Sequence, residues 1–333
     1  VLEAESQPAY HSSGRSAAVA IECYENEVVR ALTVPGMAYH RDHGAKPIGC
    51  VTIADEDHLQ DLEAFEAVWS PLSHSLVELP VGEMLERVPI LRPEKVARVL
   101  IETLALSLDA HALLESFRKQ LMAGGGRIVG NARVDRIERH VGAWRIGWGD
   151  ESLEADVLVN AAGAWGDQLA ELAGVRPLGL QPLRRTAFLL DLGMDVSQWP
   201  LVHRAEGGLY FKPEAGVLMV SLADTTPSPP CDAQPEEYDL ALAADRFQQL
   251  TTVEVRRMNH TWAGLRTFLP DGIPAVGFDA EAADFFWLVG QGGFGIQTAP
   301  HLSEVAAGLL SGRDHPLAEW ISPRRFGGSA GPG

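Results

Sequence analysis

The sequence is short of the residues that build several common kinds of site. Only three cysteines occur in 333 residues (Cys23, Cys50 and Cys231), and their wide spacing excludes a disulfide framework and a CxxC metal clip. The eleven histidines form no HxH or HExxH pattern, so we expect no zinc or iron site. Neither a P-loop nor a Gly-x-Ser-x-Gly elbow is present, which excludes those two catalytic motifs.

Basic residues and long apolar runs are also scarce. The chain has 27 Lys+Arg against 45 Asp+Glu and a formal net charge of −18. Nucleic acids and anionic membrane surfaces attract clustered basic residues, so neither is an expected partner. No apolar run approaches the roughly 18 residues of a membrane span, and no signal peptide is recognisable. A hydrophobic fraction of 46% is typical of a globular protein, and we expect a cytoplasmic one.

Strands and helices alternate in much of the chain. Helical spacing predicts a helix over 55–69, and Asp109 caps a second helix that Gly124 to Gly126 terminate. Strands are predicted at 127–129, 134–139, 143–148, 155–160 and 285–289. The run at 155–160 has the apolar composition of a buried parallel strand. This alternation predicts an α/β domain with a parallel sheet.

The segment from about residue 180 to 259 has a different pattern. Short alternating strands are predicted at 185–190, 208–212 and 216–221, with Pro-rich connections and a following helix at 236–249. This pattern favours a largely antiparallel sheet. The chain therefore divides into two domains that interleave in sequence, a nucleotide-binding layer and a substrate layer.

A literal G-x-G-x-x-G stands at Gly290 to Gly295, after a predicted strand and before a predicted helix. That position normally places dinucleotide phosphates at a helix N-terminus. However, no second strand with an acidic residue follows about 20 residues later, so it does not match the adenine-side fingerprint. The glycines either let a cofactor approach the backbone or form a tight turn with only a packing role.

Two N-terminal features match nucleotide chemistry. Glu3 follows two apolar residues. In a Rossmann fold, the acid that binds the ribose stands in the same way at the end of the second strand, but Glu3 could equally be a surface acid. The loop from His11 to Ser16 is polar and contains Arg15, which suits hydrogen bonding to phosphates. As an isolated loop it would carry no such meaning.

Two arginines and two tyrosines lie in apolar segments. Arg185 and Arg266 are predicted to be buried, and a buried guanidinium needs an anionic partner, either a structural acid or a substrate carboxylate. Tyr24 and Tyr210 belong either to the core or to the same site.

Five motifs in order resemble the FAD-dependent D-amino-acid oxidase-like (DAO) superfamily, with the greatest similarity to D-arginine dehydrogenases. They are VLEAE at 1–5, YHSSGRSAA at 10–18, VLVNAAGAW at 157–165, TWAGLR at 261–266 and GQGGFGIQT at 290–298. The resemblance covers nearly the whole chain. It implies an α/β fold in which a Rossmann-like FAD-binding domain of the glutathione-reductase type is interleaved with an antiparallel-sheet substrate domain.

The resemblance also implies domain bounds and site residues. The FAD-binding domain would comprise 1–35, 97–180 and 262–320, the substrate domain 36–96 and 181–261, and the tail 321–333. Tyr24, Arg185, Tyr210 and Arg266 would bind the substrate, the arginines gripping its carboxylate. The residues that would contact FAD are Glu3, Ala4, Ser12, Ser13, Gly14, Arg15, Ser16, Ala17, Ala18, Val134, Gly163, Gly292, Gly293, Phe294, Gly295, Ile296 and Gln297.

The implied activity is oxidation of a D-amino acid to its imino acid, with oxygen or a quinone as electron acceptor. Three departures from the family pattern bear on it. First, the resemblance implies that the first strand, Gly-rich turn and first helix, about 30 residues, would stand before Val1 and are not part of this sequence. Val19 replaces an active-site histidine, and no acid stands near Ile48 and Gly49 to meet a cationic side chain. The alternatives are a glycine or secondary-amine oxidase of the same superfamily, and a cofactor-free remnant without activity.

Overall fold

The computed structural model describes residues 1–326. Its strands are β1 (Val19–Ala20), β2 (Lys46–Pro47), β3 (Cys50–Ala54), β4 (Leu76–Glu78), β5 (Arg98–Glu102), β6 (Leu106–Ser107), β7 (Arg136–His140), β8 (Ala143–Trp148), β9 (Glu151–Ala155), β10 (Leu158–Asn160), β11 (Gln181–Leu190), β12 (Leu201–Arg204), β13 (Tyr210–Glu214), β14 (Val217–Ser221), β15 (Thr226–Pro227), β16 (His260–Phe268), β17 (Ala275–Phe278) and β18 (Phe285–Val289). Its helices are α1 (Glu27–Thr33), α2 (Met37–Asp42), α3 (Leu59–Trp69), α4 (Val81–Arg87), α5 (Ala110–Ala123), α6 (Gly166–Leu172), α7 (Glu237–Leu250), α8 (Gly295–Leu310) and α9 (Ala318–Ile321).

A large sheet of nine strands forms the substrate layer. Its order is β15-β11-β14-β13-β12-β3-β5-β4, and β16 pairs with the long strand β11. Neighbouring strands are antiparallel except β12 and β3, which are parallel. One face buries an apolar cluster that includes Val51, Phe188, Phe211 and Phe247, the last contributed by α7. Removal of this apolar surface from water is the main stabilising contribution to the layer.

Smaller sheets form the other layer. The order β10-β18-β17 contains one parallel pair, Leu158 opposite Phe285, and strands β7, β8 and β9 form an antiparallel meander. Phe286 and Trp287 of β18 are fully buried on opposite sides of that sheet, as the predicted strand 285–289 requires. The predicted α/β class with an interleaved, mostly antiparallel substrate layer is confirmed. In the described part of the chain no helix combines the length and the apolarity needed to cross a bilayer.

Two predicted elements differ from the structure. The run 155–160 is not one strand, because Asp156 and Val157 form a bend between β9 and β10. Val157 and Val159 are 36% and 39% exposed, so this run is not buried on both faces. The segment 55–69 begins as a 3₁₀ turn and is α-helical only from Leu59, and Val68 on its predicted apolar face is 55% exposed.

The domain bounds stay a prediction, but two strand pairings and one buried residue differ from what they imply. β5 pairs with β3, and β16 pairs with β11, so both strands belong to the large sheet, whereas the predicted bounds place them in the FAD-binding domain. An apolar strand has the same composition in either sheet, so its partner cannot be read from its own sequence. The tail is also shorter than predicted, because Ile321 is fully buried. Residues 327–333 of that predicted tail lie outside the described residues.

Candidate active site

A cavity of about 870 Å³ lies on the face of the large sheet opposite α7. Its other walls come from the loop that precedes Tyr24 and from the glycine-rich turn between β18 and α8. All four predicted substrate-binding residues line this cavity: Tyr24, Arg185, Tyr210 and Arg266.

The strand register brings the two arginines together. Arg185 on β11 is opposite Gly264 on β16, and Arg266 lies two residues further along β16 on the same face. They are therefore diagonal neighbours across an antiparallel pair, close enough for long side chains to meet. Burial lowers the pKa of Arg185, and the positive charge of Arg266 lowers it further. The positive charges of the two guanidinium groups therefore repel each other in an environment with little water.

Neither guanidinium has a hydrogen-bonded carboxylate partner among the described residues. Arg185 Nε donates to the backbone oxygen of Asp224 at 2.8 Å, whereas the Asp224 carboxylate lies 3.9 Å away and accepts from Thr186. Arg266 Nη1 is 3.9 Å from Glu25 Oε1, and the buried Arg266 Nε has no partner in the described chain. A buried, incompletely neutralised pair of cations is a binding site for an anion.

The tyrosines flank this pair. Arg266 Nη1 donates to Tyr24 Oη at 3.3 Å, and the Arg185 guanidinium lies 6.0 Å from the centre of the Tyr210 ring. Burial raises the pKa of Tyr24 to about 12 although Arg266 opposes this shift. The Tyr24 hydroxyl therefore stays protonated at neutral pH, and it can donate a hydrogen bond to an anion held by the arginines.

The glycine-rich turn lies so close to Arg266, Tyr24 and Phe268 that an added Cβ would force a neighbouring side chain to move. A Cβ at Gly293 would lie 2.9 Å from both Arg266 Nη1 and Tyr24 Oη. Gly292 has φ +46°, and a Cβ there would lie 2.4 Å from the Phe268 ring. The turn leads into the N-terminus of α8 at Gly295, where backbone N–H groups and the helix dipole favour negative charge.

The loop from Ser12 to Ala18 forms another part of the wall. Ser12 Oγ donates to the Leu265 oxygen at 2.8 Å, which ties the loop to β16. The Arg15 guanidinium pairs with Asp232 and donates to the oxygens of Ala233 and Ala263. The predicted contact of this loop with the cofactor stays a prediction.

Most predicted cofactor contacts line the same cavity. These are Ser12, Ser13, Arg15, Ser16, Ala17, Ala18, Gly163, Gly292, Gly293, Gly295, Ile296 and Gln297. Glu3, Ala4, Gly14, Val134 and Phe294 are not among the lining residues. The Glu3 carboxylate accepts from the backbone N–H of Glu5 at 3.0 Å. These five contacts stay predictions, and the structure does not bring them to the cavity wall.

Sequence reasoning missed several side chains at the far end of the cavity. His203 of β12 lies there beside Phe65 and Trp69 of α3, and Cys23 lies next to them. Burial lowers the pKa of His203 to about 4, so the imidazole is neutral, and its Nε2 lies 2.8 Å from Thr52 Oγ1. The i, i+4 spacing of Phe65 and Trp69 identifies a helix face but not what that face covers.

Comparison with known proteins places this chain in a family. A family model described as "FAD dependent oxidoreductase" (DAO) matches residues 1–309. A glycine oxidase from Geobacillus kaustophilus is 22% identical over 297 residues, which are 86% of this chain and 76% of that relative. A D-amino-acid oxidase from Bradyrhizobium diazoefficiens is 24% identical over 264 residues, 75% of this chain and 60% of that relative.

Solved structures agree on the fold. The crystal structure of glycine oxidase from Geobacillus kaustophilus superimposes with a TM-score of 0.86 at 18% identity, and the match covers 100% of this chain and 92% of that chain. The chain spans only about a third of the length of two further curated relatives, 36% and 32%.

The residues present fit FAD, the cofactor of this family. Gly292 and Gly293 line the same cavity as the arginine pair, so backbone without side chains borders the space in which a flat ring would lie. Gly295 places the N-terminus of α8 on the cavity wall, where an anionic group is stabilised. Gly163 has φ +55° and open space beside it, so the backbone there is also approachable.

Proposed function

Because the chain belongs to the FAD dependent oxidoreductase (DAO) family, we propose that it oxidises a D-amino acid to the imino acid. The imino acid then hydrolyses to a 2-oxo acid and ammonia. The pair Arg185 and Arg266 carries this proposal. Among the described residues, no carboxylate forms a hydrogen bond to either guanidinium group. The pair shares one cavity with the glycine-rich turn. A D-amino-acid oxidase among the relatives supports the same chemistry.

FAD, when bound, supplies a flavin that accepts the hydride from the substrate Cα. The protein binds and orients the substrate. Arg185 and Arg266 hold the carboxylate in a forked grip, which fixes the direction of the Cα–H bond. Tyr24 donates a further hydrogen bond to the carboxylate, and the Tyr210 ring excludes water from the arginine side. If the amine binds in its neutral form, no strong general base is needed.

A second candidate is oxidation of glycine or another small or secondary amine. It is favoured by the glycine oxidase relative, which aligns with 86% of this chain. The two candidates share the carboxylate grip and differ only in what surrounds Cα. A protein that takes up no FAD would instead support the cofactor-free alternative.

Anaerobic reduction of the flavin distinguishes these candidates. The protein is incubated with FAD, freed of excess cofactor, and mixed with D-amino acids, their L-enantiomers, glycine, sarcosine and proline. We expect D-amino acids to bleach the visible flavin absorbance and to yield equal amounts of 2-oxo acid and ammonia. Faster reduction by glycine or sarcosine than by every D-amino acid would favour the second candidate. Bound flavin that none of these compounds reduces would contradict both.

A further inference from the structure

The floor of the cavity extends well beyond the arginine pair. Ala187, two residues from Arg185 on the same face, pairs with Ser221 of β14, Ser221 pairs with Tyr210 of β13, and Tyr210 pairs with His203 of β12. Paired residues share one face of a sheet, so this row crosses three strand spacings, about 14 Å. The cavity therefore continues from the arginines past Tyr210 to His203.

Aromatic side chains of α3 cover the far end of this row. Phe65 and Trp69 lie one helical turn apart with ring centres separated by 6.5 Å, and the Phe65 ring meets the His203 ring edge-on at 6.0 Å. We call this end the distal wall. It consists of Cys23, Phe65, Trp69, Leu201, His203 and Met219.

The distal wall carries no formal charge. Within the described chain, the lining residues with a charged side chain are Arg15, Glu25, Arg185 and Arg266, and none of them belongs to the distal wall. His203 is neutral because burial lowers its pKa to about 4. Arg15 is engaged by Asp232, and Glu25 faces Arg266 at the other end.

Two carboxylates lie behind the distal wall, but both accept hydrogen bonds from other groups of the protein. The Glu102 oxygens accept from the backbone N–H groups of Glu22 and Cys23 at 2.6 and 3.0 Å. The Glu22 carboxylate accepts from Arg30 at 3.2 Å and from Ser73 at 2.9 Å. Neither acid lines the cavity. A cationic substrate side chain would therefore lose its hydration here without gaining a partner, which is unfavourable.

We propose that the distal wall selects amino acids with a bulky, uncharged, aromatic side chain. This inference rests on the proposed function, since it takes the carboxylate to be held by Arg185 and Arg266. A small substrate would leave the aromatic surfaces of Phe65 and Trp69 uncovered, and contact between apolar surfaces is favourable. A substrate ring would also gain the additional attraction between aromatic rings, beyond the area that it buries.

The test compares substrates on the FAD-loaded protein. We expect kcat/KM for D-phenylalanine to exceed that for D-alanine by about 100-fold or more, since even a single methylene in an apolar pocket contributes about 10-fold or more. D-arginine and D-aspartate should fall below D-alanine. Binding is measured separately by calorimetry with 3-phenylpropanoate and propanoate, carboxylates that lack the amine and are not oxidised. The phenyl compound should bind at least about 10-fold more tightly.

A variant pair isolates the distal wall. Phe65→Leu should lower the ratio of kcat/KM for D-phenylalanine to that for D-alanine by about 10-fold. The matched control Phe278→Leu is the same substitution on β17, outside the cavity, and should leave the ratio unchanged. A ratio within one protein sample is independent of the folded fraction, so a partly unfolded variant still gives an answer.

The outcomes separate the two proposals. If kcat/KM for D-alanine, D-arginine or glycine equals or exceeds that for D-phenylalanine, the distal wall does not select aromatic side chains. The same conclusion follows if Phe65→Leu leaves the ratio for D-phenylalanine and D-alanine unchanged. If no amino acid reduces the bound flavin and neither carboxylate binds, the proposed function itself is wrong.

Discussion

Substitution of Glu102 by Gln should change how the stability of the protein depends on pH. The Glu102 carboxylate is 2% exposed and accepts from the backbone N–H groups of Glu22 and Cys23, directly before Tyr24. Burial raises its pKa from 4.5 to about 6, although these two hydrogen bonds act in the opposite direction. The native state therefore binds a proton more readily at this site than the unfolded state does.

The size and sign of the effect follow from this difference. The difference between a pKa of 4.5 and one of about 6 corresponds to about 2 kcal/mol. Because the native pKa is the higher one, the native state holds more protons than the unfolded state between pH 4.5 and 6, and the free energy of unfolding falls as the pH rises through this window. Glu102→Gln removes this dependence. The amide also leaves one backbone N–H poorly satisfied, which adds a cost of about 1–3 kcal/mol at every pH.

Urea unfolding followed by tryptophan fluorescence measures this effect from pH 4.5 to pH 7. We expect the stability of the native sequence relative to Glu102→Gln to fall by about 2 kcal/mol across that range. The matched control is Glu86→Gln, the same substitution on the exposed side of α4, and its own pH dependence is subtracted. A difference that is constant with pH, or that grows as the pH rises, would refute the reasoning.

Two further predictions concern the cavity. Gly293→Ala would place a Cβ 2.9 Å from Tyr24 Oη and Arg266 Nη1, so carboxylate binding measured by calorimetry should weaken at least about 10-fold while circular dichroism stays unchanged. Burial lowers the pKa of His203 to about 4, so the native protein should lose up to about 3 kcal/mol as the pH falls from 6.5 to 4. Thermal unfolding at different pH values should show that His203→Gln does not lose this stability as the pH falls. The prediction is contradicted if the variant and the native sequence have the same dependence of stability on pH.

The sequence predicted correctly those helices and strands that are specified by residues within the element, such as a capping residue or an apolar run. Asp109 caps α5 by accepting from the N–H of Ala112, and β18 is a buried strand, as their sequences indicated. The strand Arg98–Glu102 was assigned to the wrong layer because its partner, β3, lies more than 40 residues away in sequence. Nothing within an apolar strand specifies which sheet it joins.

The candidate site shows the same limit. Arg185 and Arg266 could be recognised as arginines in apolar context, but their meeting depends on the register of β11 and β16. The carboxylate that engages Arg15 belongs to Asp232, which is 217 residues away. No local signal indicated the contact between His203 and Phe65, since it requires α3 to fold over the sheet.

The carboxylate grip of the arginine pair is tested most directly by calorimetric titration of the FAD-loaded protein with 3-phenylpropanoate. Arg266→Leu should raise the Kd by about 10- to 100-fold, the effect of losing a charge-assisted hydrogen bond, and flavin should stay bound. Arg266→Lys keeps the charge but loses the forked pair of donors, so its Kd should lie between those of the native sequence and Arg266→Leu. Arg256→Leu, the same change at an arginine that is 82% exposed, serves as the control and should match the native sequence. A Kd for Arg266→Leu within twofold of the native value, with flavin bound, would show that Arg266 does not hold the carboxylate.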